Sequence, residues 1–505
     1  MATHYDLVVV GSGPGGQKAA IAGAKLGKRV ALVERRRELV GGVCLHTGTI
    51  PSKTMREAIL HLSGFRQREV YADQYRSRGN ITMDDLRQKL AHVSEREWDV
   101  IQDQFDRNGV KTIVGEARFV GPHAIEVVGE GEPLYLSADK ILLAPGTKPS
   151  RPEHIPFDGR TVFDSDEFLN LDHIPRSMIV VGGGVIGVEY GLMFATLGVR
   201  VTIIDGRDRL LDFCDREVVD SLVYNARSMG VTFRLGENVA DVRRLKGGSV
   251  AVELESGKRV LGETVLFSVG RQGDTESLNL EAAGLKPDKR GRLYANERFQ
   301  TEVPHIYAVG DIVGFPALAS ASMEQGRQAV GNAFGVPNTD MGEIPYGLFT
   351  VPEISLIGKT ERQLTEEHVP YEVGLARFSE IARGQIVGDH TGLMKLLFHR
   401  ETREILGVHA IGDSATEIIH IGQAVMRLGG TLNYFRDTVF NYPTMAECYK
   451  VAALDGLNKL TAYADDDEES EKLAPPPSQA VAEPAGEPAA IGAEHANVGA
   501  CNAAN

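Results

Sequence analysis

Short runs of Val, Ile and Leu, each closed by glycine, set the pattern of this chain. Leu7 to Val10 ends at Gly11 and predicts a first β-strand. Residues 5 to 34 read strand, glycine-rich turn, helix, strand, and residues 178 to 205 repeat that order. This is the outline of a βαβ unit occurring twice, and it implies two dinucleotides. Between the two units, residues 54 to 110 are helical in composition and 113 to 148 alternate as strands do, ending in the turn Ala144-Pro145-Gly146-Thr147. A second alternating stretch covers 249 to 270, and Ile306 to Val309 runs into Gly310-Asp311. From 346 to 460 the pattern changes to strands, Gly392 to His399 and Ile405 to Ile411 among them, followed by helices. The expected fold class is α/β, with two Rossmann-like dinucleotide-binding domains and an α+β C-terminal domain.

Composition sharpens this picture in three places. A chain of 505 residues has room for about three domains. Of the formal net charge of −15, residues 465 to 505 hold nine acids and one lysine, so the tail carries −8 and the rest −7. An acidic body argues against a nucleic-acid partner, and the Ala/Pro/Glu-rich tail has too few large apolar residues to offset the entropy of ordering. Cys44, Cys214, Cys448 and Cys501 form no metal-ligand spacing, so no metal is expected and a reducing, cytoplasmic setting is. The most apolar window, Ile179 to Leu197, is broken by glycines and Glu189 and falls short of the ~20 apolar residues of a membrane span, so no membrane helix is expected.

Gly11-Ser12-Gly13-Pro14-Gly15-Gly16 follows a strand and opens a helix. Gly11 permits the turn, Gly13 lets backbone approach a pyrophosphate, and Gly16 allows close helix packing. Glu34 lies 23 residues after Gly11, where a carboxylate meets ribose hydroxyls. Gly182-Gly183-Gly184-Val185-Ile186-Gly187 repeats the motif, with Gly182, Gly184 and Gly187 in the same three roles and Asp205 again 23 residues on. Arg207 and Arg209 follow Asp205, so a carboxylate suited to a free 2'-hydroxyl stands beside cations suited to a 2'-phosphate. The second site is expected to admit both NAD and NADP.

The segment Gly41-Gly42-Val43-Cys44-Leu45-His46-Thr47-Gly48-Thr49-Ile50-Pro51-Ser52-Lys53 resembles the redox loop of the pyridine nucleotide-disulfide oxidoreductases, where a Cys-x4-Cys pair precedes Ile-Pro-Ser-Lys. The resemblance covers residues 5 to about 460 and includes Gly270-Arg271, Gly310-Asp311 and Pro443-Thr444-Met445-Ala446-Glu447. It implies that the first fingerprint binds FAD, with Gly146, Gly310, Asp311 and Ala319 at the flavin, and that the second binds NAD(P). It further implies a buried Lys53–Glu189 ion pair beside the flavin. The implied boundaries are an FAD-binding first segment at 1–150, an NAD(P)-binding domain at 151–275, a second FAD segment at 276–345, a dimerisation domain at 346–463, and a disordered tail at 464–505. A homodimer is implied, with the Tyr442 to Glu447 segment crossing into the neighbour's site.

Two departures bear on the reaction. Thr49 stands where the second redox cysteine belongs, so Cys44 cannot form that bridge. Tyr442 stands where dithiol enzymes carry a histidine, and a phenol of ordinary pKa ~10 is a poor base at pH 7. With the disulfide side closed, hydride that arrives from one nicotinamide leaves to another. In this the chain is similar to the soluble, flavin-containing transhydrogenase branch, with Lys53, Glu189, Cys44, Thr49, Tyr442 and Glu447 as the residues around the chemistry. The competing readings are a dithiol enzyme in which Cys214 or Cys448 moves in, a diaphorase that reduces quinones or oxygen, and a non-enzymatic nucleotide-sensing or scaffold protein, suggested only by the acidic tail. His420 is expected to be a packed helical residue at a subunit interface.

Overall fold

From Leu7 to Val10, in the strand Thr3–Val10, the side chains alternate between two cores: Val8 and Val10 face one cluster, and Leu7 and Val9 face the other. Val30–Glu34 and Leu134–Leu143 do the same, as strands covered on both faces must. The computed structural model describes residues 2–65, 81–337 and 339–465. Lys111–Val114, Val30–Glu34, Thr3–Val10 and Leu134–Leu143 run parallel in one seven-stranded sheet, which the antiparallel strands Ala124–Val128 and Glu116–Gly121 extend. Ile306–Ala308 returns from far along the chain to lie parallel to Leu134–Leu143.

A second sheet repeats the arrangement. Thr232–Leu235, Arg200–Asp205, Ser177–Val181, Thr264–Phe267 and Val162–Asp164 are all parallel, and again alternate residues divide between two clusters, Met178 and Val180 against Ile179 and Val181. An antiparallel ribbon, Thr147–Pro149 with Arg271–Gly273, pairs the segment entering this region with the one leaving it. The third sheet is antiparallel throughout, in the order Tyr346–Leu348, Ile354–Gly358, Ile405–Ile411, Leu393–His399, Tyr371–Arg377. The two expected strands at its centre are present, and three more flank them.

One buried cation ties the second sheet's helix to the third sheet. The Lys395 side chain is fully buried, with Nζ 2.9 Å from Asp215, 2.8 Å from Glu217 and 2.6 Å from Glu361. A buried ammonium persists only where carboxylates replace its water, and here three do. The helices Thr49–Ser63 and Met83–Arg107 fill most of the stretch expected to be helical; residues 66–80 lie outside the described residues. The chain divides into a unit Met1–Lys459 and a unit Leu460–Asn505. Of the tail expected at 464–505, everything after 465 lies outside the described residues. Among the described residues, no helix is long and apolar enough to cross a membrane.

Candidate active site

Some helices in this chain close their first turn with a side chain. Met83–Arg107 has the capping box Thr82 with Asp85, and Arg216–Ser228 has Asp215. The two fingerprint helices do not: Pro14–Lys25 starts at Gly13 and Val185–Thr196 at Gly184, both without a side-chain cap. Their first N–H groups stay free, and the helix dipole adds partial positive charge, which suits a phosphate. Sterics explain the other glycines. A Cβ on Gly16 would lie 1.9 Å from the Gly11 carbonyl oxygen, and one on Gly187 2.0 Å from that of Gly182. Gly11 adopts φ +97° and Gly182 φ +104°. In front of Gly13 and Gly184 a Cβ would meet nothing within 4 Å.

The first turn opens on a cavity of about 360 Å³ lined by Gly11, Gly13, Glu34, Cys44, Thr49, Gly146, Gly310, Asp311 and Ala319. The second opens on one of about 1330 Å³ lined by Gly182, Gly184, Asp205, Arg207, Gly270, Lys53 and Glu189. Gly16 and Gly187 line neither; they let each helix close onto its turn. Thr49, Thr47, Asp166, Asp311 and Ala319 line both cavities, so the two adjoin at Thr49.

At the end of each second strand stands the expected carboxylate, differently held. Glu34 Oε2 accepts from the Ser12 hydroxyl at 2.6 Å and the Ser12 N–H at 3.1 Å, and Oε1 from the Arg35 N–H at 2.7 Å. Asp205 accepts from the Gly183 N–H at 2.6 Å and the Arg207 N–H at 2.8 Å, and also grips the Arg207 guanidinium at 3.0 and 2.9 Å. Burial raises the Asp205 carboxyl, but the Arg207 side chain and these N–H groups overrule it and hold it below the usual range. Arg207 is therefore not a free loop cation beside Asp205 but its partner.

Where the cavities adjoin, Lys53 Nζ lies 2.6 Å from Glu189 Oε2. Glu189 is buried, and its other oxygen accepts from the Phe349 N–H at 2.8 Å. The Phe349 ring centroid is 5.2 Å from the ammonium. Burial raises the Cys44 thiol above its ordinary pKa, opposed by a hydrogen bond to the Thr49 side chain. Cys214 and Cys448 are buried in other packing and line neither cavity. Tyr442, 72% exposed, and Glu447 also lie outside both cavities of this chain. His420 lies on a helix as expected, Ala415–Arg427, exposed in this chain at the wall of the large cavity while its neighbours Ile418 and Ile419 take the buried face.

Residues 5–326 match the family described as pyridine nucleotide-disulphide oxidoreductase, and 344–453 match that family's dimerisation domain. The chain belongs to the pyridine nucleotide-disulphide oxidoreductases. It is 54% identical to a protein of Mycobacterium bovis named soluble pyridine nucleotide transhydrogenase, over 91% of this chain and 98% of that one. A protein of the same name from Photobacterium profundum is 46% identical, over 91% and 98%. Among solved structures, the flavoprotein disulfide reductase RclA of Escherichia coli superimposes with a TM-score of 0.80 at 28% identity, covering 90% of this chain and 99% of that one. LpdA of Mycobacterium tuberculosis gives a TM-score of 0.81 at 25% identity, covering 90% and 99%.

The family's cofactor is FAD, and the residues present fit it. An uncapped helix N-terminus, open space before Gly13, a carboxylate at Glu34 and a buried Thr47 Oγ1 without a hydrogen-bond partner all face the smaller cavity. Glu34 and Asp311 offer acceptors to hydroxyls, and Gly13 offers an N–H to phosphate. Some residues of this oxidoreductase site were not expected from sequence. Ser12 clips Glu34, Phe349 supports Glu189, and Thr147, Asp166 and Arg271 form a polar cluster between the cavities. Ser12, Thr147 and Arg271 lie within sequence motifs, but these contacts do not follow from them. Phe349 is 160 residues from Glu189 along the chain, and no local pattern announces that contact.

Proposed function

We propose that this chain carries hydride between NADPH and NAD through bound FAD, in a ping-pong exchange at the large cavity: NADPH + NAD⁺ gives NADP⁺ + NADH. The observation that carries this reading is Thr49, which stands between the two cavities beside Cys44 in place of a sulfur. Among the described residues no second thiol lines either cavity, so the route into a dithiol is closed. The names of the relatives agree with it.

FAD supplies the two-electron chemistry; the chain supplies binding and field. The N-terminus of Val185–Thr196 receives the pyrophosphate of the nicotinamide nucleotide, and Asp205 with Arg207 meets the ribose that bears or lacks a 2'-phosphate. Lys53 sets a positive charge at the junction, and Glu189 keeps that ammonium from standing uncompensated in a half-buried site. We assign Tyr442 and Glu447 to the partner's site in a homodimer, since in their own chain they face neither cavity. The domain limits at 150, 275, 345 and 463 follow the same reading. We place the enzyme in the cytoplasm, where Cys44, Cys214 and Cys448 stay free.

An anaerobic assay with NADPH and an NAD analogue of distinguishable absorbance tests this directly. Reduction of the analogue that requires the flavin supports the reading. Flavin that NADPH reduces but no NAD analogue reoxidises would replace it with a diaphorase, and robust lipoamide turnover would replace it with a dithiol enzyme.

A further inference from the structure

Arg271 donates from three nitrogens across the ribbon that joins the two nucleotide-binding regions. Its Nη1 lies 2.6 Å from Asp166 Oδ1, its Nη2 donates to the Thr147 carbonyl at 2.7 Å, and its Nε donates to the Thr147 hydroxyl at 2.9 Å. The Thr147 hydroxyl is in turn 3.3 Å from Asp311 Oδ2. An arginine has no acceptor, so Thr147 Oγ1 must accept from it. Its single proton is then left for Asp311. The chain of bonds has one polarity only, and it ends on an oxygen that must accept.

Both ends of this chain lie in cavity walls. Arg271 lines the large cavity, and Asp166 and Asp311 line both. We infer that Arg271 is a positioning residue for the flavin: acting through Thr147, it fixes the orientation of Asp311 and keeps it an ionised acceptor for a hydroxyl of FAD. This rests on FAD occupying the smaller cavity.

The electrostatics agree. Burial raises the Asp311 carboxyl, and the Arg271 charge and the Thr147 hydroxyl oppose that rise. The other titratable groups that feel Asp311 are Cys44, which burial raises, and Tyr346, which burial pushes up to about 12. Both are neutral from acid to pH 7, so neither competes as a switch there. Removing the Arg271 cation lets the Asp311 carboxyl rise further, so protonation, and with it FAD release, moves to higher pH.

The experiment follows FAD release by recovery of free-flavin fluorescence while the purified holoenzyme is titrated to acid. Arg271→Gln, Thr147→Val and the double variant are compared with wild type, and FAD Kd is measured by readdition at pH 7.5. Each single variant is expected to weaken FAD by about tenfold, the worth of one charge-assisted hydrogen bond, and to release it at a higher pH than wild type. The double variant should be little worse than either single, because one relay is broken twice. Thr147→Val leaves the Arg271–Asp166 pair in place, so it carries the test if Arg271→Gln does not fold. Release at the wild-type pH with wild-type Kd in Thr147→Val, or simple additivity in the double variant, overturns the inference. Wild-type protein that never binds FAD would instead overturn the reading of the cavity.

Discussion

The two nucleotide sites share strand, turn, helix and terminal carboxylate, yet they hold that carboxylate differently. Glu34 is fixed by a hydroxyl and two backbone N–H groups, all neutral, with no side-chain cation among these partners. Asp205 is gripped by the guanidinium of Arg207, so its charge is neutralised before any ligand arrives. A fixed anion accepts a ribose with free hydroxyls and rejects a phosphate. A paired anion and cation reject neither: a 2'-hydroxyl can share Asp205, and a 2'-phosphate can draw Arg207 away. On the proposed reading, the first site holds one resident cofactor and the second admits two substrates in turn.

The largest effects should come from the shared part. In Gly16→Ala and Gly187→Ala the new Cβ meets a backbone carbonyl oxygen that cannot step aside, and overpacking of this kind costs about 1–3 kcal/mol or more. The comparison predicts equal damage with opposite readouts. Gly16→Ala should purify without flavin absorbance. Gly187→Ala should stay yellow but fail to saturate with NADPH. A yellow, fully active Gly16→Ala would show that the first turn holds no pyrophosphate.

Smaller effects should come from the part that differs. Arg207→Ala removes the partner of a 2'-phosphate, and the KM for NADPH should rise by about tenfold, one charge-assisted hydrogen bond's worth. It also releases Asp205, so the KM for NADH should hold or fall. Asp205→Asn should act in reverse, sparing NADPH and weakening NADH by a few-fold, about 1 kcal/mol for a neutral in place of a charged acceptor. Steady-state KM values for both nucleotides decide the matter. If Arg207→Ala raised both alike, the pair would be a structural clasp and not a selector.

Much of this is legible in the sequence because it is local. Gly11 and Gly16, or Gly182 and Gly187, touch within one turn, and Glu34 and Asp205 follow at a fixed strand length. The presence of Arg207 near Asp205 was legible too, but not their ion pair, since residues two apart meet only when the backbone turns back as it does here. Contacts that close over long sequence distances left no trace in any motif: Phe349 on Glu189, the three carboxylates around Lys395, and the relay from Arg271 through Thr147 to Asp311. On the amphipathic helix Ala415–Arg427, Ile418 and Ile419 face inward and His420 faces out at the wall of the large cavity.

The smallest effect should fall at the junction, where the two sites adjoin. Cys44 has a thiol that burial raises above its ordinary pKa, so at pH 7 it is protonated, and its neighbour Thr49 brings no sulfur. A protonated thiol is a weak nucleophile and a small apolar side chain. If hydride crosses only between nicotinamide and flavin, Cys44→Ser changes neither the path nor the charge. Transhydrogenation should fall by less than about threefold, under 1 kcal/mol in barrier, with FAD retained. The same raised pKa makes a second readout available: alkylation of Cys44 by iodoacetamide should be slow at pH 7 and accelerate as pH rises toward the thiol's pKa. Rapid alkylation at pH 7, or lost turnover in Cys44→Ser with flavin still bound, would make the thiol a participant and return the junction to disulfide chemistry.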